Sequence, residues 1–410
     1  MSALFFVKRL SLGNNSHSSP AVKVATAAVA LSVAVMIASI AIVLGFKQQI
    51  TEKIIGFNSH LSIQTIPASG NEDDNIVSLN NSLATLLDSV DYVTDYSLSL
   101  SVPAVIKTPE DFKGVYLRSG NGRRLQNLMS KSLVAGKFPD FNTPVSDSLI
   151  AVSSLVANKL NLKPGEKINI YFFTDRIHAR RLKIAAVFNS HFDTYDDIYA
   201  FGSISLLQEL GSLKSNQATS IVLNTDDFNK IDFYTADLQS RLNSATQSGW
   251  LPRPYSVDNT RRASGNFFQW LSLLDMNVII VLIIMMIVGA VTLVSGLLII
   301  IADKKHFISL LKALGASNTL IRNIFLLLAM RVALTGLIIG NLFILTLLIL
   351  QEHFHFIPLN PESYYIDFVP VLISWPAVII LNLGVLVISY IVLILPSRYV
   401  AKISPANILA

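Results

Sequence analysis

The chain has no cysteine among its 410 residues. Disulfides and thiolate metal sites are therefore excluded, and any exported part must fold without bridges. Charge is also scarce: Asp, Glu, Lys and Arg make up 14% of residues against 52% hydrophobic ones. That balance fits an integral membrane protein with a substantial soluble part. A G-x-x-x-x-G-K-S/T phosphate loop is missing, since Gly136-Lys137 lacks both the upstream glycine and the following hydroxyl, so the chain is not expected to be an ATPase by itself. Neither H-E-x-x-H nor G-x-S-x-G occurs. The histidines are scattered: His353 and His355 share a short loop, and His191 lies near Asp193, Asp196 and Asp197. A solvated acidic loop explains that last group better than a metal site does. The long apolar runs hold no Asp, Glu, Lys or Arg away from their ends. Ion-coupled pumps and channels usually carry such residues, so a secondary transporter is disfavoured and an apolar or amphiphilic ligand is favoured. No catalytic, cofactor-binding or metal-ligating residue is expected, and no nucleic-acid partner.

What the sequence does hold is four uncharged runs, each able to supply the ~20 apolar residues of a membrane span. They give spans at 24–46, 276–302, 323–351 and 368–396, the third uncharged only over 332–351, after Arg331. The first is longer than the roughly 7–15-residue core of a cleaved signal peptide and reads as an uncleaved anchor. Its Ala27, Ala30, Ala34, Ala38, Ala41 and Gly45 recur at helical spacing, giving a face of small residues on which helix backbones can approach. Gly336 and Gly340 form a G-x-x-x-G pattern in the third run, suited to the same close packing. Pro370 and Pro376 predict an irregular or kinked start for the fourth.

Orientation follows from the connections. The 1–23 leader, the 303–331 stretch and the 397–410 tail carry Lys8, Arg9, Lys23, Lys304, Lys305, Lys312, Arg322, Arg331, Arg398 and Lys402 against one acid, Asp303. The rest of the chain is then net acidic, and the 352–367 loop has acids but no Lys or Arg. Under the positive-inside rule both termini are cytoplasmic, while 47–275 and 352–367 lie outside. Within 47–275, 47–55 continues the first helix as a stalk. A strand at 61–66, a helix at 77–90 and a strand region at 96–107 form a βαβ-like unit. The same order recurs as 220–224, 228–242 and 254–257. Between the two lies a β-rich insertion with a helix at 151–160 and strands at 167–173 and 181–189. The expectation is two halves of one α+β domain with a middle insertion.

The segment 303–322 is basic and amphipathic. Lys304 and Lys305 open it, and Phe307, Ile308, Leu310, Leu311 and Leu314 follow at helical spacing as one apolar stripe. Gly315 ends the helix, and Ser317 can cap the next. Such a helix could lie on the lipid surface or dock a cytoplasmic partner.

Three stretches carry a family resemblance: LLKALGASNTLIRNIFL at 310–326, LNPESYYIDFVP at 359–370 and PSRYVAKISPANIL at 396–409. The leader and stalk, KRLS and GFKQQITEKIIG, look similar too. Together they resemble the permeases of the lipoprotein-releasing ABC transporter, the LolC/LolE family, within the wider superfamily of FtsX-like and MacB-like permeases. The resemblance implies a type VII ABC permease-like fold of four transmembrane helices, with a large periplasmic α+β domain between the first and second. It implies an inner-membrane location and a second permease, as homo- or heterodimer. It also implies a separate ABC ATPase dimer that holds the ATP and Mg, and a lipoprotein substrate among the membrane lipids. Lys304 to Gly315 would be the helix coupling to that ATPase, with Ile308, Leu311, Lys312, Leu314, Gly315 and Ala316 matching the pattern. A carboxylate usually precedes the Ile there; this chain has Phe307, which favours an apolar contact or weaker coupling. One permease of the pair recruits a periplasmic carrier through a long hairpin hook. The matching hairpin here, 173–181, has the short connection TDRIHAR, which leaves carrier docking on this subunit open. Two alternatives on the same fold are a MacB-like exporter of hydrophobic drugs or peptides and an FtsX-like signalling permease regulating cell-wall hydrolases. A third reading is a membrane receptor without an ATPase.

Overall fold

The computed structural model describes residues 20–67, 75–174 and 177–397. The leader charges Lys8 and Arg9 and the tail charges Arg398 and Lys402 lie outside these. The chain divides into two compact units. One takes the residues up to Lys47, Leu271–Pro358 and those from Phe368 on; the other takes Gln48–Trp270 and Leu359–Asp367.

The first unit is helical. Its elements are α1 (Pro20–Asn58), α2 (Gly265–Asp303), α3 (Lys305–Ala313), α4 (Asn318–Phe354) and α5 (Trp375–Ser397). All but α3 are long and apolar enough to cross a membrane. Val29, Val33 and Ile37 of α1 share one buried core with Leu293 and Leu297 of α2, Ile324 and Ala333 of α4, and Leu381 and Val385 of α5. The fourth span starts irregularly, as Pro370 and Pro376 predict: 368–374 is not helical, and the helix begins at Trp375. Pro370 packs there against Gly45, where an added Cβ would lie 2.8 Å from the proline carbonyl carbon. The Leu372 N–H donates to the Ala41 carbonyl at 3.0 Å. Pro376 falls in the first turn of α5, where its missing N–H would have no partner anyway.

The second unit is α+β. Its strands in chain order are β1 (Leu61–Thr65), β2 (Val77–Ser78), β3 (Val93–Ser99), β4 (Ser101–Lys107), β5 (Phe112–Ser119), β6 (Leu133–Gly136), β7 (Leu149–Ser153), β8 (Lys167–Phe173), β9 (Ile177–Phe188), β10 (Tyr199–Gly202), β11 (Gln217–Ala218), β12 (Ser220–Thr225) and β13 (Tyr255–Asn259). One sheet has the order β13-β1-β12-β3. The helix Asn81–Asp88 leads from β1 to β3, and Ile231–Gln247 leads from β12 to β13. Each βαβ thus has a strand of the other between its own two, the split arrangement of ferredoxin-like domains. Leu61 and Ile63 pack there on Leu83, Leu87, Leu238 and Leu242.

β3 runs straight into β4, and β11 and β12 bring the chain back. Between them β4-β5-β10-β7-β9-β8 pair in a closed ring, sealed by β8 on β9, with β6 added along β9. Closure leaves those six strands without an unpaired edge. Its core is Val102, Ile106, Leu117, Ile150, Ile170, Phe172 and Ile184.

Several expected bounds shift. Val77–Ser78 is strand, paired with β11; the helix starts later, with Asn80 accepting from Leu83 N at 2.8 Å. Likewise 151–153 is strand, and Ser153 Oγ caps the following helix by accepting from Val156 N at 3.2 Å. In both places a capping side chain, rather than the apolar pattern, marks the helix start. β9 begins at Ile177, opposite Phe173, so the hairpin connection is shorter still than TDRIHAR; its residues 175 and 176 lie outside those described.

Candidate functional site

The connection between α2 and α4 builds the first candidate surface. On α3, Ile308 and Leu311 are buried in the helical core, and Phe307 is half-buried against it. Leu310 and Leu314 point outward, 50% and 76% exposed, beside the exposed Lys304 and Lys305. Lys312 is half-buried. The expected single apolar stripe is therefore divided. At about 100° per residue the five side chains span roughly 160°. The core covers the Ile308–Leu311 flank, Phe307 sits at the margin, and Leu310 and Leu314 stay uncovered.

The end of α3 is fixed by its backbone. Ala316 N–H donates to the Leu311 carbonyl at 2.9 Å, and Gly315 N–H donates to the Lys312 carbonyl at 3.0 Å. Gly315 has φ +84°. This is a Schellman turn with glycine at the left-handed position. Ser317 Oγ then accepts from Leu320 N at 3.2 Å and caps α4. The outward leucines thus stand on a helix whose C-terminal end is fixed.

The small-residue positions fall at the α1–α4 contact. A Cβ on Gly336 would lie 2.8 Å from Thr26 O, and one on Gly340 2.5 Å from Ala30 O. Ala30 and Ala34 are buried, Ala38 is half-buried, and Ala27 is exposed. The structure thus brings Ala30, Gly336 and Gly340 together and leaves Ala27 off that face. Reading the spans for charge alone missed one polar pair. Asn341 of α4 and Asn382 of α5 exchange amide hydrogen bonds at 2.9 and 3.0 Å. The signal available was uncharged: an asparagine in the middle of each of two apolar runs.

The second candidate surface lies in the α+β unit, around residues 190–196. Lys53 of α1 donates to the carbonyls of Ser190 and Tyr365. Phe57 stacks on Tyr195 with ring centroids 4.6 Å apart, and Phe192 meets Phe267 of α2 at 5.0 Å and Tyr365 at 4.9 Å. His191 Nε2 lies 3.2 Å from Asp367. Residues from α1, α2 and the 359–367 loop therefore all close on one segment. The solvated acidic loop expected here is corrected at Asp196, which is fully buried. Its carboxylate accepts from Ser190 N at 2.9 Å and Ser190 Oγ at 2.6 Å. Burial pushes its pKa up to about 6 against those bonds. Among the described residues no group of three His, Asp or Glu is placed to hold a metal ion.

His60, just past α1, is also buried. Its Nδ1 accepts from Thr225 N at 2.9 Å, which leaves the proton of the neutral ring on Nε2. Burial, with Arg124 nearby, lowers its pKa to about 4.

Residues 24–240 match the family model of the MacB-like periplasmic core domain, and 279–405 match that of the FtsX-like permease C-terminal region. The lipoprotein-releasing system transmembrane protein LolC of Xylella fastidiosa is 20% identical over 396 residues, covering 93% of this chain and 91% of that one. LolE of Haemophilus influenzae is 22% identical over 397 residues, covering 93% and 92%. Among solved structures, the periplasmic region of MacB from Actinobacillus actinomycetemcomitans is 13% identical, with TM-score 0.35 over 52% of this chain and 95% of that one. The extracellular domain of the ABC-type transporter YknZ from Gram-positive bacteria is 13% identical, with TM-score 0.35 over 49% and 100%.

Proposed function

Because this chain belongs to the MacB-like periplasmic core domain family and continues into an FtsX-like permease region, we propose that it is the non-catalytic permease subunit of an ATP-driven transporter that releases lipoproteins. It sits in the inner membrane with its α+β domain in the periplasm and both termini in the cytoplasm. It pairs with a second permease and rides on a separate ABC ATPase dimer, which holds the ATP and Mg.

One observation carries this reading: α3 is anchored in the helical core by Ile308 and Leu311 while Leu310 and Leu314 face outward. The C-terminal end of α3 is fixed by a Schellman turn, and the Ser317 cap opens α4 directly after it. A fixed end suits a helix that passes on a displacement, since a slack end would absorb it. α2 and α4 flank α3 directly in sequence, so movement of α3 reaches both. α1 and α2 contribute residues to both units and close on 190–196, which makes that segment the recipient of the movement. The cargo is a lipid-anchored protein whose acyl chains enter between apolar spans, gaining about 0.8 kcal/mol per buried methylene.

Co-purification tests the reading. Extracted from its native membrane, the protein should bring an ABC ATPase with it. Leu314→Asp should lose that ATPase while keeping its melting temperature, because an exposed substitution changes stability by only about 0.5 kcal/mol. Ile308→Asp should fail to fold, because it buries an unpaired charge. If Leu314→Asp retains full ATPase association and coupled hydrolysis, α3 is not the docking element. Normal lipoprotein sorting after depletion would refute the cargo while leaving the docking intact.

A further inference from the structure

A cavity of about 610 Å³ opens in the α+β unit where β3 passes into β4 and β11 returns to β12. That volume lies in the ~300–1,000 Å³ range of small-molecule sites. Its lining is polar and carries charge of one sign: Arg118 and Arg262 face it, and no Asp, Glu or Lys does. Arg118, on β5, is half-buried. Its contacts are a long 3.5 Å hydrogen bond to Asn58 Oδ1 and the ring of Tyr199 at 5.8 Å. Among the described residues no carboxylate pairs with it. Arg262 has Asp258 only at 3.9 Å. Arg262 is exposed, but a partly desolvated guanidinium such as that of Arg118 is normally matched by an anion. Here the chain supplies hydroxyls instead, from Ser62, Ser99, Ser101, Ser220 and Tyr195.

We propose that this cavity is a binding site for a phosphate-bearing ligand, with Arg118 as the principal anion contact and Arg262 at its side. The guanidinium fork matches two phosphate oxygens at once. The hydroxyls that line the cavity suit the remaining oxygens, which a planar carboxylate does not have. Asn58 closes α1, and Ser264 to Phe267 lead into α2, so an occupant would touch the ferredoxin-like sheet, the barrel and both helix ends together. The proposal stands independently of the ATPase-docking reading.

Full-length protein in an alkyl maltoside detergent, which carries no phosphate, is titrated by calorimetry with inorganic phosphate, glycerol 3-phosphate and succinate. Addition of phosphatidylglycerol in the same detergent, with fluorescence of the domain as readout, tests a lipid headgroup. Saturable binding of the soluble phosphates identifies a soluble source; a response confined to phosphatidylglycerol identifies a headgroup. Either supports the shared chemistry. Arg118→Gln should weaken binding about tenfold or more, as expected for losing hydrogen bonds to a charged group. Arg180→Gln, on the exposed Glu209 ion pair, should leave it unchanged. If Arg118→Gln does not fold, Arg262→Gln serves, with a severalfold loss expected. The proposal is overturned by absence of binding in every arm, by equal loss in the Arg180 control, by undiminished binding in the folded arginine variants, or by succinate binding as tightly as phosphate.

Discussion

At the scale of single residues, His60 and Asp196 give the α+β unit two opposed pH responses. His60 has its pKa lowered to about 4 by burial and by Arg124. As pH falls from about 6.5 to 4, the unfolded chain binds a proton there that the folded domain refuses, so stability present above that window is lost on acidification. Asp196, raised by burial to about 6, acts the other way. The folded protein holds its proton where the unfolded chain has released it, so that contribution is present in acid and is lost as pH rises through about 6. His60→Gln should make the domain more stable on going from about pH 7 to 4.5, and Asp196→Asn should steepen the parent's loss. Melting temperatures of the full-length protein across that range decide it; parallel curves for all three proteins would show that neither group titrates on unfolding. Neither residue stood out in the sequence. A lone histidine after a stalk and an aspartate among three are ordinary surface residues by pattern, and only burial, which depends on distant β12 for His60 and β7 for Asp196, gives them their properties.

At the scale of elements, the α1–α4 contact is the most exacting. Gly340 stands where any Cβ would meet the Ala30 carbonyl at 2.5 Å, whereas Gly384 of α5 has nothing within 4 Å of such an atom. Gly340→Ala should therefore cost about 1–3 kcal/mol through overpacking. Gly384→Ala should be neutral, or stabilising by roughly 0.5–1 kcal/mol through helix propensity. Thermal unfolding in detergent separates the two; equal effects would mean that the helices do not touch at Gly340. The long elements were legible because an uncharged run has one use in a membrane and because the duplicated β–α–β order survives in the apolar pattern. The helical periods across 77–90 and 151–160 misled at their first residues: Val77 and Ala151 are buried in strands, and a buried strand is as apolar as a helix face. On α3 the pattern gave the stripe but not its division, because the coverage of Ile308 and Leu311 is decided by the other helices packed in the same core.

At the scale of the whole molecule, the sidedness of the membrane rests on charge alone. Lys304, Lys305 and Arg322 sit on or beside α3, whereas the 352–367 loop has acids and no Lys or Arg. Each basic residue kept near a span end opposes translocation of its loop, and this is the ground for proposing α3 in the cytoplasm and the α+β unit on the far side. Closure of the barrel was not visible in the same way, because β8 meets β4 and β10 meets β5 across long stretches of chain and no local pattern encodes those partners. The missing cysteine turns the charge argument into a clean measurement, because any thiol introduced is the only one present. Leu314→Cys places it on the exposed end of α3, and Glu110→Cys places it on the exposed turn between β4 and β5. In intact spheroplasts a membrane-impermeant maleimide should label Glu110→Cys at once, and Leu314→Cys only after permeabilisation. The reverse pattern would invert the topology and remove α3 from reach of any cytoplasmic ATPase. With the expected pattern, adding the ATPase to permeabilised membranes should slow labelling at Leu314→Cys and leave Glu110→Cys unchanged, since a docked partner covers one thiol and cannot reach the other.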